Sequence, residues 1–490
     1  MNEMNVTRRT FVQSGAAAAL SALPAPAVIG AAERPPNIIF ILCDQMRGDA
    51  MGCVGNRNAR TPNLDRMAKD GVLFSRAFCN NPVCVPSRMA TFAGRYPHQT
   101  GRLSNRPWGD PLLDMPNTLG GYFLQRGYRC GWVGKNHTYK NKELETKFDY
   151  YSHRAREPFR KYSRFTPPHW HSHTLWPEDQ CHPRKNTDEA VEFIQSSSKN
   201  EPFFLHISYF DPHPPYMAPD EFVSRYDSSK LKLPETVSPG NLSKRLEDFA
   251  SGFNMYELDD ADLLETLKFY HAAVEWGVDY QVGRILQIIK QQGIEQDTVV
   301  VFSSDHGDFM CDYRLVRKGI FLYDALLHVP LIWYAPGRIP NGRRSGALAN
   351  GIDLFPTLVD FCGGAVAESL EGRSLRPFIQ GEKPDDNDAI FTTGGYGQVQ
   401  PVNNPSIDLK DSDDTPVHTR VMEQSMEPTY ETRMVRTRDF KLILNEDDPA
   451  EFYDLNGGVG ERENLIGASQ FAPERRALEK RLEQWRARTS

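Results

Sequence analysis

The segment Asn81-Pro82-Val83-Cys84-Val85-Pro86-Ser87-Arg88 sets a thiol and a guanidinium four residues apart with a proline between them. Taken by itself C-x-P-x-R is a short pattern, and a lone cysteine is ordinarily a buried inert residue or half of a disulfide. Two acidic residues are better placed for chemistry. Asp44 closes the apolar run Asn37 to Cys43, and Asp305 follows the run Thr298 to Ser303. In open α/β sheets ligands bind beyond the carboxyl ends of the strands, so these two remote segments are expected to share one site. Histidine suits proton transfer near neutral pH. His98 and His328 are weak candidates for substrate contact, with structural roles weighing equally. Arg88, Lys135 and Lys318, each on its own, reads as an ordinary solvated charge; only their joint placement gives them a role.

The elements that must carry these residues are partly visible. Asn37 to Cys43 is almost continuously apolar, as a strand buried on both faces requires. Thr61-Pro62-Asn63-Leu64-Asp65-Arg66-Met67 carries a Thr cap and Pro at the first helical position, with Gly71 as a stop. Val278, Val282, Ile285, Leu286 and Ile289 mark one helical stripe, closed by Gly293. The β-branched run Thr298 to Phe302 then reads as a further strand. Strand, helix and strand in alternation predict an α/β fold: a mixed, mostly parallel central sheet with helices on both faces. Residues 381 to 388 read as a linker. Beyond it, Met434 to Arg436 and Phe440 to Leu444 predict a hairpin, and about Pro473 to Arg488 a final amphipathic helix. The expected division is a targeting segment over 1–32, a catalytic domain over 33–385, and a smaller C-terminal α+β subdomain with an antiparallel sheet over 386–490.

The 490 residues carry a formal charge of -7 and no long Lys/Arg run, which argues against a nucleic-acid partner. No stretch of 18 or more apolar residues predicts a membrane-spanning helix in the mature protein. Thr7-Arg8-Arg9-Thr10-Phe11-Val12, followed by a mildly apolar Ala-rich run, reads as a twin-arginine export signal, which predicts a periplasmic or secreted protein. The eight cysteines, at 43, 53, 79, 84, 130, 181, 311 and 362, include no C-x-x-C pair. Free thiols, mostly buried, are expected rather than a disulfide scaffold.

From about Pro36 to Leu465 the chain resembles the type I sulfatases, arylsulfatase relatives within the alkaline phosphatase superfamily. The resemblance is carried by Thr61-Pro62-Asn63-Leu64-Asp65, the extended C-x-P-S-R block running on to Gly94-Arg95-Tyr96-Pro97-His98, and Gly134-Lys135-Asn136-His137. It continues through Pro212-His213, Ser304-Asp305-His306-Gly307, Lys318, Pro356-Thr357-Leu358, Tyr453-Asp454-Leu455 and Glu463-Asn464-Leu465. These segments occurring in family order are far more specific than any one alone.

The resemblance implies that Cys84 is oxidised to formylglycine by a formylglycine-generating enzyme. The hydrated aldehyde then offers one hydroxyl to attack sulfur and a second whose deprotonation expels sulfate. It further implies that Arg88 orients the diol, Lys135 and Lys318 hold sulfate oxygens, His137 acts as base, and His213 helps protonate the leaving alcohol. Asp44, Gln45, Asp305 and His306, with the modified Cys84, would hold one divalent cation, Ca²⁺ first, with Mg²⁺ or Mn²⁺ as alternatives. Gln45 stands where many relatives have a second Asp, and His306 where some have Asn; fewer anionic ligands soften the site. The implied activity is a sulfuric ester hydrolase acting on a small-molecule or oligosaccharide sulfate ester. A phosphonate or phosphodiester hydrolase of the same superfamily and a silent sulfated-glycan binder are the alternatives. Aromatic, His, Arg and Asn residues between 101–114, 153–182 and 394–427 suit a sugar ring.

Overall fold

β1 (Asn37–Asp44) is buried along its whole length and occupies the middle of an eight-stranded sheet, hydrogen-bonded on both sides. Its neighbours are β5 (Phe203–Pro212) and β6 (Thr298–Ser304), both parallel to it. With β2 (Val72–Phe78), β3 (Arg129–Gly134), β4 (Tyr150–Ser152), β7 (Leu331–Tyr334) and β8 (Arg343–Asn350), the order is β4-β3-β5-β1-β6-β7-β2-β8. Only β7 runs against its neighbours β6 and β2, so the sheet is mixed and mostly parallel. This computed structural model describes residues 34–105, 112–153, 169–172, 177–235, 243–385, 388–396, 430–446, 448–456 and 460–490. The twin-arginine segment and parts of the three loop regions proposed for substrate contact lie outside the described residues. Among the described residues no helix is long and apolar enough to cross a membrane.

The register explains why remote sequence segments meet. Cys43 pairs with Ser304, and past an irregularity after Leu42, Asp44 pairs with Pro212. The carboxyl ends of β1, β5 and β6 therefore stop at one level, and the residues that follow them face a common crevice.

The stripe expected around Val282 is found, with a difference. Helix Tyr280–Gln291 buries Val282, Ile285, Ile288 and Ile289, while Leu286 is half-buried. Val278 falls in a preceding π-helical turn, Val274–Asp279. That turn supplies Asp279, whose carboxylate accepts the backbone N–H groups of Asn63 and Leu64 at 3.0 and 2.8 Å. Helix α1 (Pro62–Lys69) is thus capped from a distant element, and the Thr61 side chain bonds Asp65 instead. Gly71 is required for a different reason than a helix stop. A Cβ there would come within 2.2 Å of the Trp333 carbonyl oxygen.

A separate four-stranded antiparallel sheet contains β9 (Ala389–Tyr396), β10 (Tyr430–Thr437), β11 (Phe440–Asn445) and β12 (Glu451–Asp454). The predicted hairpin is β10–β11, with Arg436 opposite Lys441. Helix Ala472–Thr489 covers this sheet through Leu478, Leu482 and Trp485, which join Val435, Leu442 and Phe452 in a second apolar cluster. Ala90, Tyr96 and Ile352 extend that cluster to the larger sheet's side, so the small sheet braces the helix that carries Cys84. All eight cysteines are free; six are buried, and Cys53 and Cys362 are half-buried.

Candidate active site

Cys84 opens helix α2 (Cys84–Ala93), every residue of which is buried. Val83 is extended, Asn81 Oδ1 accepts its N–H at 3.1 Å, and Asn105 Oδ1 accepts the N–H of Val85 at 2.9 Å. Pro86 has no N–H to satisfy. The amino end of α2 is therefore closed by two asparagines, and Gly94, at φ 62°, ends the helix. One turn on from Cys84, Arg88 lies on the same face. Its Nε donates to Asp305 Oδ2 at 2.7 Å and its Nη1 to Ser208 Oγ at 2.7 Å.

Around the Cys84 sulfur the strand ends converge. Sγ lies 3.0 Å from Lys318 Nζ, 3.3 Å from His306 Nε2 and 3.6 Å from Asp44 Oδ1. The same side chain acts on His137, favouring its protonated form. Lys318 Nζ is also 3.2 Å from His306 Nε2. Lys135, which follows β3, is hydrogen-bonded to Asp44 Oδ2. Its approach depends on Gly134, at φ 94°, where a Cβ would sit 2.1 Å from the Ser208 carbonyl oxygen. His213, just past β5, contributes its charge to the same field at Asp44. Asp44, Cys84, Arg88, Lys135, Asp305, His306 and Lys318 are all buried, while His137 and His213 are half-buried.

Several cations gathered in a buried site favour anions strongly. Burial opposes the charged form of Asp44, yet Lys135, Lys318, His213 and Arg88 hold its carboxyl well below the usual range. Burial and Asp44 likewise work against a charged Cys84, but Lys135, Lys318 and His306 hold the thiol well below its usual value. The pocket thus stabilises negative charge at the tip of side chain 84. His137 is pushed down to about 4 by burial and by the neighbouring Lys135 charge, which leaves it a neutral base.

The donors present fit a divalent cation. One ligand atom each from Asp44, Cys84, Asp305 and His306 can be chosen so that all lie within 4.8 Å of one another. The Gly307 carbonyl oxygen lies 2.9 Å from His306 Nδ1 and can only accept, so Nδ1 donates to it and Nε2 is the ring nitrogen left facing the cluster. Gln45 Oε1 is a buried acceptor with no hydrogen-bond partner among the described residues. The cluster offers two carboxylates, one imidazole and the tip of side chain 84, donors that together can hold a divalent cation.

His98 and His328 are not brought to this cluster. His98 Nε2 lies 3.0 Å from Thr489 Oγ1 and its ring packs edge-on to Trp485, so it fastens the last helix. His328 sits against Phe78, with Nε2 3.2 Å from the Ser75 carbonyl oxygen. Both were weak candidates for substrate contact with a structural role weighing equally, and the contacts seen for each are packing contacts. Ser208, Asn105, Asp308 and Tyr216, by contrast, support site residues without having stood out in the sequence. No spacing distinguishes them; Asp308 alone carried a signal, as an acid two residues beyond His306.

Comparison with known proteins gives this constellation a context. Residues 36–364 match a family model described as Sulfatase. An arylsulfatase of Clostridium perfringens is 29% identical over 401 residues, which cover 74% of this chain and 82% of that protein. An N-acetylglucosamine-6-O-sulfatase of Bacteroides thetaiotaomicron is 24% identical, covering 92% and 86%. The crystal structure of a phosphonate monoester hydrolase of Agrobacterium radiobacter superposes with a TM-score of 0.73 at 24% identity, covering 93% of this chain and 96% of that one, and so shares the fold.

Proposed function

The chain belongs to the sulfatase family and is a sulfuric ester hydrolase, and from that premise we propose that it desulfates a carbohydrate through a formylglycine made from Cys84. One observation carries the reading: the side chain of residue 84 is the point where Lys318, His306, Asp44 and His137 meet. The hydrated aldehyde supplies one hydroxyl to attack sulfur and another whose proton loss breaks the carbon–oxygen bond and frees sulfate.

The chain's own residues do the rest. Arg88, anchored on Asp305 and Ser208, fixes the direction in which the residue-84 oxygens point. Lys318 and Lys135 bind sulfate oxygens, so charge that grows there in the transition state meets groups already in place. His137, held neutral by burial and by the Lys135 charge, accepts the second hydroxyl's proton. His213, half-buried just past β5, delivers a proton to the departing alcohol. Asp44, Gln45, Asp305 and His306 hold one divalent cation, Ca²⁺ first, which when bound supplies a fixed positive charge beside the nucleophile.

A carbohydrate substrate is favoured by the N-acetylglucosamine-6-O-sulfatase relative of Bacteroides thetaiotaomicron and by the His, Arg and aromatic residues that the sequence holds within 101–114, 153–182 and 394–427. The leader supports export to the periplasm through the twin-arginine machinery, after a formylglycine-generating enzyme has acted. The test is a panel of sulfated mono- and oligosaccharides alongside paired aryl sulfate and aryl phosphonate esters. Sulfate release from one sugar class well above the aryl sulfate is the expected result. Phosphonate turnover exceeding sulfate turnover by orders of magnitude would replace the reading.

A further inference from the structure

Gln45 turns the chain out of β1 with φ 71°, a conformation that residues other than glycine seldom adopt unless their surroundings hold them. Two carboxylates hold this one. The Gln45 backbone N–H donates to Asp305 Oδ1 at 3.1 Å, and its side-chain Nε2 donates to Asp308 Oδ2 at 2.6 Å. Asp308 is itself fixed: the Tyr216 hydroxyl donates to the same Oδ2 at 2.6 Å, and the Met310 N–H donates to Oδ1 at 2.8 Å. Gln45, Asp308 and Tyr216 are all fully buried.

We infer that Asp308, braced by Tyr216, is the positioning residue that holds the Gln45 amide with Oε1 turned to the cation pocket. The inference rests on the divalent-cation reading above. A carboxylate only accepts hydrogen bonds, so the amide end against Asp308 is the NH₂ and the other end is the carbonyl oxygen. That oxygen is the buried acceptor left without a partner. Burial and the Asp308 charge hold the Tyr216 phenol well above its ordinary value, so it stays a donor.

The arrangement also gives a physical reason for an amide at position 45. A carboxylate there would face that of Asp308 at hydrogen-bond distance, and the repulsion would turn one of them away. The amide replaces repulsion with a charge-assisted bond while still offering an oxygen to the cation.

The test uses the full chain stripped by chelator, titrated calorimetrically with Ca²⁺ and with Mn²⁺, alongside melting of the metal-free proteins. Asp308→Asn is expected to weaken binding by about 10- to 100-fold. Gln45→Glu alone sets two carboxylates face to face and is also expected to bind weakly. The exchange Gln45→Glu with Asp308→Asn restores an acid–amide pair of the same size, and most of the affinity lost in Asp308→Asn should return. A purely structural role for Asp308 would not produce that recovery. Should Asp308→Asn fail to fold, Tyr216→Phe carries the same test and is expected to weaken binding several-fold. Parental affinity in Asp308→Asn or, failing that variant, in Tyr216→Phe, or an exchange variant no tighter than Asp308→Asn, overturns the positioning role alone. A parent protein that binds neither ion removes the cation reading, and this inference with it.

Discussion

Cys84→Ala is expected to lower sulfate-ester turnover by roughly 10⁴-fold or more while leaving the protein folded, because it deletes the reacting group and little else. The side chain is buried and small, so its loss opens only a minor void. Cys84→Ser separates this account from a simple hydroxyl or thiol nucleophile. A serine can attack sulfur and release the alcohol, but the sulfated oxygen it leaves behind has no second hydroxyl on the same carbon to expel sulfate. The expected record is a burst of alcohol no larger than the enzyme concentration, followed by negligible sulfate release. Steady turnover by Cys84→Ser would show that no geminal hydroxyl is needed.

His137→Ala should cost about 10²- to 10⁴-fold in kcat, the usual contribution of a positioned general base. The pH dependence carries more information than the loss. His137 is pushed down to about 4, first by burial and then by Lys135, while the Cys84 side chain pushes the other way. Replacing an anionic thiol there by a neutral hydrate removes an upward contribution, so the value does not rise in the matured enzyme. A base must be unprotonated to act, and this one gains its proton only as pH falls toward 4. The acidic limb of kcat/KM is therefore expected well below pH 6.5, with activity holding flat through mild acid. An acidic limb at the ordinary histidine value that persists in His137→Ala would assign the base to another residue.

Much of the architecture is legible in the sequence. β1 and β6 announce themselves as unbroken apolar runs because both faces are covered, and the terminal helix and the β10–β11 hairpin follow from periodicity. Strand order was not legible. Nothing in Leu331–Tyr334 says that β7 runs antiparallel between β6 and β2, since partner and direction are set by connections rather than by hydrophobicity. Asp279 capping α1 from 216 residues away is invisible for the same reason. Within the site, Asp44 and Asp305 could be joined by physical argument, from their places at strand ends. Lys135, His137, His213 and Lys318 came only through resemblance, because loops deliver them and no local period marks them. Asp308 and Tyr216 escaped both routes, because they touch other side chains and not the reacting centre. His98 was open between substrate contact and structure because a histidine beside a nucleophile motif looks chemical; its ring packs against Trp485.

The claim beneath all of this is the chemical state of residue 84. Peptide mass spectrometry of preparations spanning a range of specific activities, made in a host that installs formylglycine, tests it most directly. The mass of the aldehyde should appear at position 84, its fraction rising in proportion to sulfate-ester turnover. Full turnover from protein whose residue 84 is entirely an unmodified thiol, or is bridged to another cysteine, would contradict the account.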